Sequence, residues 1–343
     1  MQAAPLRLNH IQVIGTHNSY HIAPHPMLDA LIRATNPAGA DSLAYTHRPL
    51  PEQLGELHIR QIELDLYADP KGGHFAEPKS LTLIKQSNGS IPAQLQPAQI
   101  LSTPGFKILH NPDFDYLTRY PSLKSALQAL HTWSANNRHH IPILILLELK
   151  EKAYNAALTQ PIAFNRDLLL EMEKEILSIV PKGQILTPDD IRGDFSSLRQ
   201  AVLTKGWPSI ESSRGKFMFA MDNEDLLRDL YLEGNPSLEN RLLFVSVNEN
   251  HPAAAFFKIN DPTGSKSKIQ RLVKQGFLVR TRADAETQQA RDNNPSQRDD
   301  AFESGAQFVS TDYPEPDKNL SLYCVQFSSG EAYRVNPISR RMP

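Results

Sequence analysis

Gln-Ile-Glu-Leu-Asp-Leu-Tyr, residues 61–67, alternates along its length: Ile62, Leu64 and Leu66 share one face, and Glu63, Asp65 and Tyr67 share the other. A period of two marks an extended strand. Its charged face is either solvated at a sheet edge or turned into the polar mouth of a closed sheet, and the surrounding sequence decides between them. Similar apolar runs recur at 11–16 (IQVIGT), 106–110 (FKILH), 142–149 (PILILLEL), 216–222 (KFMFAMD), 242–248 (LLFVSVN), 276–282 (GFLVRTR) and 306–312 (AQFVSTD). Helical stretches lie between them, around 52–58, 121–138, 162–179, 265–275 and 284–304. Strands that alternate with helices pair in parallel, and parallel strands are covered on both faces, so the solvated edge is the weaker reading. Eight such units predict an α/β fold, a (β/α)8 TIM barrel. Polar residues crowd the carboxyl ends of its strands, where barrel enzymes place their chemistry.

The rest of the chain is fitted around that frame. Residues 1–343 are expected to form one domain, with the barrel over about 8–316 and a C-terminal appendage over 317–343. The long segment 68–105 predicts a small hairpin, with Ser80 to Gln86 strand-like, and a loop over the barrel mouth. Residues 320–335 predict a two-stranded ribbon turning at Ser328-Ser329-Gly330.

Composition narrows the function classes. Lys plus Arg number 36 and Asp plus Glu 38, a formal charge of −2, which speaks against a nucleic-acid binder. No run approaches the roughly 20 apolar residues of a membrane span, and a chain of 343 residues buries a core without staples. The single cysteine, Cys324, forms no internal disulfide. The start, Met-Gln-Ala-Ala-Pro, has neither the basic region nor the apolar core of a signal peptide, and a trimmed exported protein would look the same. The expectation is a soluble secreted or periplasmic protein; no oligomer is implied.

Chemistry-bearing residues fall at strand ends in order. Strand one ends in Gly-Thr-His-Asn-Ser-Tyr (15–20), strand two holds Glu63 and Asp65, strand three ends in His110, and strand four ends in Glu148 and Lys150. With Val-Arg-Thr-Arg-Ala-Asp (279–284) and Ser-Gly-Ala-Gln-Phe-Val-Ser-Thr-Asp-Tyr (304–313), the set resembles the bacterial calcium-dependent phosphoinositide phospholipases C, from about residue 10 to residue 315. The resemblance implies calcium ligands at Asn18, Glu63, Asp65 and Glu148. It also implies that His17 stabilises the phosphorane-like transition state and that His110 protonates the leaving diacylglycerol oxygen.

The residue types fit that chemistry. Asn18, Glu63, Asp65 and Glu148 offer only oxygen donors, three of them anionic, which suits calcium or magnesium and does not suit zinc. An anionic cage favours calcium; magnesium stays open. Three converging carboxylates without a cation would raise one another's pKa. Glu148 or Glu63 is a candidate base for an inositol 2-hydroxyl attacking phosphorus, a step that gives a cyclic inositol phosphate and diacylglycerol. Lys150, Arg280, Arg282 and Tyr313 are candidate substrate contacts. Each also has a plainer reading: Lys150 pairs with an acid, the arginines form an internal network with Asp284, and Tyr313 packs. Asp222 and Asp312 are weaker candidates. Phe256 and Phe257 fit the packing of a short helix after strand six better than contact with a lipid surface. The expected partner is an inositol phospholipid or another inositol phosphodiester, with transient contact at a membrane surface. Three rivals stand at this stage: a glycerophosphodiester phosphodiesterase, whose first motif is typically His-Arg-Gly; a glycoside hydrolase, which leaves both histidines unused; and an inactive inositol- or carbohydrate-binding barrel.

Overall fold

The computed structural model describes residues 5–153 and 155–339. Among the described residues ten strands run in chain order: β1 Ile11–Thr16, β2 Gln61–Tyr67, β3 Lys107–Ile108, β4 Ile143–Leu149, β5 Phe217–Met221, β6 Leu243–Phe244, β7 Phe256–Lys258, β8 Leu278–Arg282, β9 Phe308–Thr311 and β10 Arg334–Val335. Eight of them pair in parallel in the order β6-β5-β4-β2-β1-β9-β8-β7. One parallel bridge, Ser246 to Phe256, links β6 to β7 and nearly closes the ring. The fold is an α/β barrel with helices outside it.

The membership of the ring differs from the expectation at one place. The run 106–110 is not a barrel strand: β3 lies antiparallel to the end of β2, with Leu66 opposite Ile108 and Tyr67 opposite Lys107. The eighth barrel strand is β7, at residues expected to form a short helix. Phe256 and Phe257 are both buried there, so neither meets a lipid surface. Residues 79–88 form a helix rather than a hairpin strand, because Leu81 and Ile84, three apart, share its buried face and Gly89, at φ 71°, ends it. The chain turns at Ser328-Ser329, but no ribbon forms; β10 instead pairs antiparallel with β1, Ile11 opposite Val335.

The main core lies on the outer face of the strands, opposite Glu63, Asp65 and Arg280, where Ile62, Leu64, Ile145, Leu147, Phe219 and Val279 are fully buried beneath the helices. A second apolar cluster, including Leu28, Phe75, Leu81, Ile84 and Leu109, packs the segment between β2 and β4 against the barrel. No helix among the described residues is long and apolar enough to cross a membrane.

Candidate active site

Register delivers the site. In the parallel pair β1 and β9, Thr16 lies opposite Thr311, so the next residues, His17 and Asp312, emerge side by side at the carboxyl rim. His17 Nδ1 donates to Asp312 Oδ1 at 2.8 Å, and its Nε2 stands 3.7 Å from Glu63 Oε1. The Arg282 guanidinium lies 3.4 and 3.5 Å from the two ring nitrogens and 3.3 Å from Asp312 Oδ2. Burial and the neighbouring Arg282 charge together push His17 down to about 3, although 18% of its side chain still meets solvent. It is a neutral imidazole at neutral pH, with its Nδ1 proton fixed by Asp312.

The loop after β1 is clamped to β2. Gly15 has room only for hydrogen, since a Cβ there would lie 2.0 Å from Gln61 Oε1. Ser19 Oγ accepts the Glu63 backbone N–H at 2.8 Å, and the Ser19 N–H reaches the Glu63 carbonyl at 2.9 Å. Gln53 donates to the Ser19 carbonyl at 2.7 Å and accepts from Thr16 Oγ1 at 2.7 Å. Between them Asn18 sits at φ 44°, a left-handed conformation that asparagine tolerates better than most residues. Its amide donates to the Tyr45 hydroxyl at 3.2 Å, which leaves Asn18 Oδ1 buried without a hydrogen-bond partner.

Three carboxylates stand on the next two strands. Asp65 on β2 is the register partner of Glu148 on β4, so the two side chains point the same way. Oxygens of Glu63, Asp65 and Glu148 lie within 4.8 Å of one another. Lys150 Nζ is 2.8 Å from Asp65 Oδ2 and 2.9 Å from Glu148 Oε1, an approach to Asp65 not aligned as a hydrogen bond, so both Asp65 oxygens remain buried without one. Burial, with the neighbouring acids, raises Glu63 and Asp65 above the usual carboxylate range despite Arg280 and Lys150. Three gathered carboxylates and a buried amide oxygen, Asn18 Oδ1, that has no hydrogen-bond donor are what an oxygen-ligated cation requires. The donor set fits calcium, which Glu63, Asp65 and Glu148 could hold, with Asn18 Oδ1 in the loop after β1 as a further oxygen.

The second imidazole rests on a carboxylate that the sequence did not single out. His110 Nδ1 donates to Asp115 Oδ2 at 2.8 Å, and His21 Nε2 donates to the same oxygen at 2.9 Å. The other nitrogen of His21 meets the Tyr45 carbonyl at 3.0 Å. Both ring nitrogens of His21 therefore face acceptors, and Asp115 raises its proton affinity against the cost of burial. Burial alone would raise Asp115; the charge of His21 and the hydrogen bonds from both histidines outweigh it and hold the carboxyl well below its usual range. Rings connect the two halves of the site: His17 lies 6.5 Å from Tyr45, Tyr45 is stacked at 4.3 Å on His21, and His21 is edge-on to His110 at 6.0 Å.

The expected substrate contacts divide. Arg282 reaches the His17 ring, and Lys150 bridges two acids at the rim. Arg280 is 1% exposed and bonds Glu63 at 2.5 Å, Asn260 at 2.5 Å and Ser310 at 3.1 Å, so it is an internal counter-ion rather than a substrate contact. Tyr313 is 3% exposed with its ring edge-on to Tyr323, and a ring so buried offers no face to a sugar. Asp284 does not pair with Arg282 through its carboxylate; it accepts from Thr311 Oγ1 and from the Asp312 backbone N–H at 2.8 Å, and so orients the acid that orients His17. Asp312 was legible only as a weak candidate, and His21 and Asp115 not at all. His21 is the next residue after the strand-one motif, and Asp115 closes the short turn Asn111–Asp115 that follows His110.

Two imidazoles braced by carboxylates beside an oxygen-lined acidic cage, gathered at the rim where β1, β2, β4 and β9 end, are the parts of an acid–base enzyme with a place for a hard cation. The family model "Phosphoinositide phospholipase C, Ca2+-dependent" matches residues 6–337, and the chain belongs to that family, a class of phosphodiesterases. Solved structures agree with the fold. The apo calcium-dependent phosphoinositol-specific phospholipase C of a Gram-negative Pseudomonas species is 14% identical, with a TM-score of 0.55 over 96% of this chain and 95% of that one. The same protein has been solved as a myoinositol complex, with the same score, identity and coverage. The Ca2+-dependent phosphatidylinositol-specific enzyme of Streptomyces antibioticus is 16% identical, with a TM-score of 0.52 over 90% and 95% of the two chains. No curated protein sequence matches this chain.

Proposed function

We propose that the chain cleaves phosphatidylinositol-type phosphodiesters by attack of the inositol 2-hydroxyl on the adjacent phosphorus, releasing diacylglycerol and a cyclic inositol phosphate. The observation that carries the proposal is the placement of two differently braced imidazoles beside three clustered carboxylates at one rim. Calcium bound by Asn18, Glu63, Asp65 and Glu148 would lower the proton affinity of a ligated hydroxyl and offset phosphoryl charge.

The chain's own groups divide the remaining work. Glu148, 32% exposed at its side chain, is the accessible carboxylate and takes the 2-hydroxyl proton; Glu63, 3% exposed and bonded to Arg280, is occupied. The new bond joins O2 to phosphorus, and the bond from phosphorus to the glycerol oxygen breaks. His110 gives its proton to that oxygen, and Asp115 stabilises the imidazolium that does so. Arg282 faces charge developing on the phosphoryl oxygens, and His17, its Nδ1 braced by Asp312, joins it as the imidazolium, which a bound phosphodiester anion favours.

Few basic groups are free to read extra ring phosphates, because Arg280 is internal and Lys150 is paired with two acids. The test is product analysis on a panel of phosphatidylinositol, its bisphosphate and glycerophosphodiesters. Inositol phosphate should be released, and phosphatidylinositol should be cleaved at least as fast as the bisphosphate. Release of glycerol phosphate instead, or a clear preference for the bisphosphate, would overturn this reading.

A further inference from the structure

Two clefts open beside His110 and differ in chemistry. One, of about 340 Å³, is walled by Tyr67, Glu148, Lys150, Lys152, Asn223 and Glu224. The other, of about 940 Å³, runs past Asp115 and is walled by Leu31, Ile32, Leu43, Leu83, Phe114 and Leu158. Asp115 is closed off by its two histidines, and Glu286 is the one other acidic group on that wall. A space of this size with apolar walls and a few convergent polar groups at its inner end is the form of a ligand site.

The core explains the walls only in part. The helix Pro26–Arg33 buries Leu28; Leu31 packs in part against the second apolar cluster and, with Ile32, also lines the cleft. The helix Lys79–Asn88 buries Leu81 and Ile84, and Leu83 lies off that face, 43% exposed. The apolar surface that these side chains leave open to solvent beside a catalytic-site imidazole stabilises nothing in the free protein.

We propose that the larger cleft receives an acyl chain of the leaving diacylglycerol. The inference rests on the reaction proposed above: His110 protonates the leaving oxygen, so the leaving alcohol lies against His110. The inositol ring lies on the side of the carboxylates, along the polar cleft, and the leaving group takes the apolar one. The continuity of the apolar wall with His110 and Asp115 fixes the occupant as part of the substrate. The chain thus leaves the lipid surface at least in part and is gripped by the protein.

The experiment uses the full chain with calcium and monomeric short-chain phosphatidylinositols below their aggregation threshold, lengthened one methylene at a time, with glycerophosphoinositol as the chainless reference. Expected is a rise in kcat/KM of up to about fourfold per methylene until the cleft is filled, then a plateau. In Leu83→Ser and Leu31→Ser, two variants at partly exposed positions, the ratio of chain-bearing to chainless kcat/KM should fall several-fold. Cleavage of these lipids with no dependence on chain length would overturn the inference and leave the reaction standing. A length dependence that both variants leave unchanged would place the chain elsewhere and overturn it too. If no inositol phosphodiester is cleaved, the proposed reaction fails and carries the inference with it.

Discussion

His21 is wholly buried, yet both its nitrogens are aimed at acceptors, the Tyr45 carbonyl at 3.0 Å and Asp115 Oδ2 at 2.9 Å. A neutral imidazole carries one N–H and cannot donate at both ends, so the geometry calls for the imidazolium. Asp115 is its counter-ion and at the same time the brace for His110. Asp115→Asn should therefore do two things: lower kcat by about 10–100-fold by loosening the acid, and cost about 3–5 kcal/mol of stability by stranding a buried cation. Adding His21→Gln removes the stranded charge. The double variant, measured by urea unfolding, should regain a good part of that stability and none of the activity. If the double variant is no more stable than Asp115→Asn alone, His21 is not the partner charge. His21 and Asp115 were hidden in the sequence because neither belongs to a periodic element. Each acquires its role only when the loops after β1 and β3 are brought together by the barrel.

At the scale of elements, strong alternation was legible and short strands were not. Runs such as 61–67 and 142–149 kept the faces their sequence implied, and the register of Asp65 with Glu148 follows from that alternation. The count of eight survived through two errors that cancel. Residues 106–110 look like a strand and are one, but β3 sits in the segment between β2 and β4 and runs antiparallel. β7 has three residues preceded by Ala253-Ala254-Ala255, with no alternation to read, and its strand character comes from its neighbours β6 and β8. Leu81 and Leu83 imitate a strand by position, whereas it is Leu81 with Ile84 that packs. The candidate ligands on β2 and β4 and the first imidazole could be picked out because a barrel fixes what a strand end means, whereas His110 was picked out by the same rule although β3 is not a barrel strand. The interior role of Arg280 was not, since a charged residue two positions before a strand end looks the same whether it faces substrate or Glu63.

For the whole molecule, buried histidines tie stability to pH. Burial pushes His47 down to about 4 and also lowers His140. In the unfolded chain both take up a proton near 6.5, so below that pH the unfolded state binds more protons and stability falls as pH drops from 6.5 towards 4. His47 alone accounts for about 2–3 kcal/mol at pH 4.5. His21 acts in the opposite sense: its contribution is complete below 6.5 and is lost as pH rises through its raised folded value. Glu63 and Asp65, raised in the fold, act in the opposite sense over the same range, so the test is a difference: as pH falls from 6.5 to 4.5, the thermal midpoint of His47→Gln should gain on that of the unmodified chain. A difference that stays constant over that range would mean His47 is charged in the fold. The rim that hides His21 and His47 also gathers the carboxylates, and the central claim is that a cation there and an internal hydroxyl attack go together. Phosphorus NMR of phosphatidylinositol turnover, in calcium and in a calcium chelator, tests it most directly. The account predicts a cyclic phosphodiester as the first product in calcium, none in chelator or with Asp65→Asn, and recovery when calcium is restored to the unmodified chain. An acyclic monoester as the first product, or equal turnover in chelator, would contradict it.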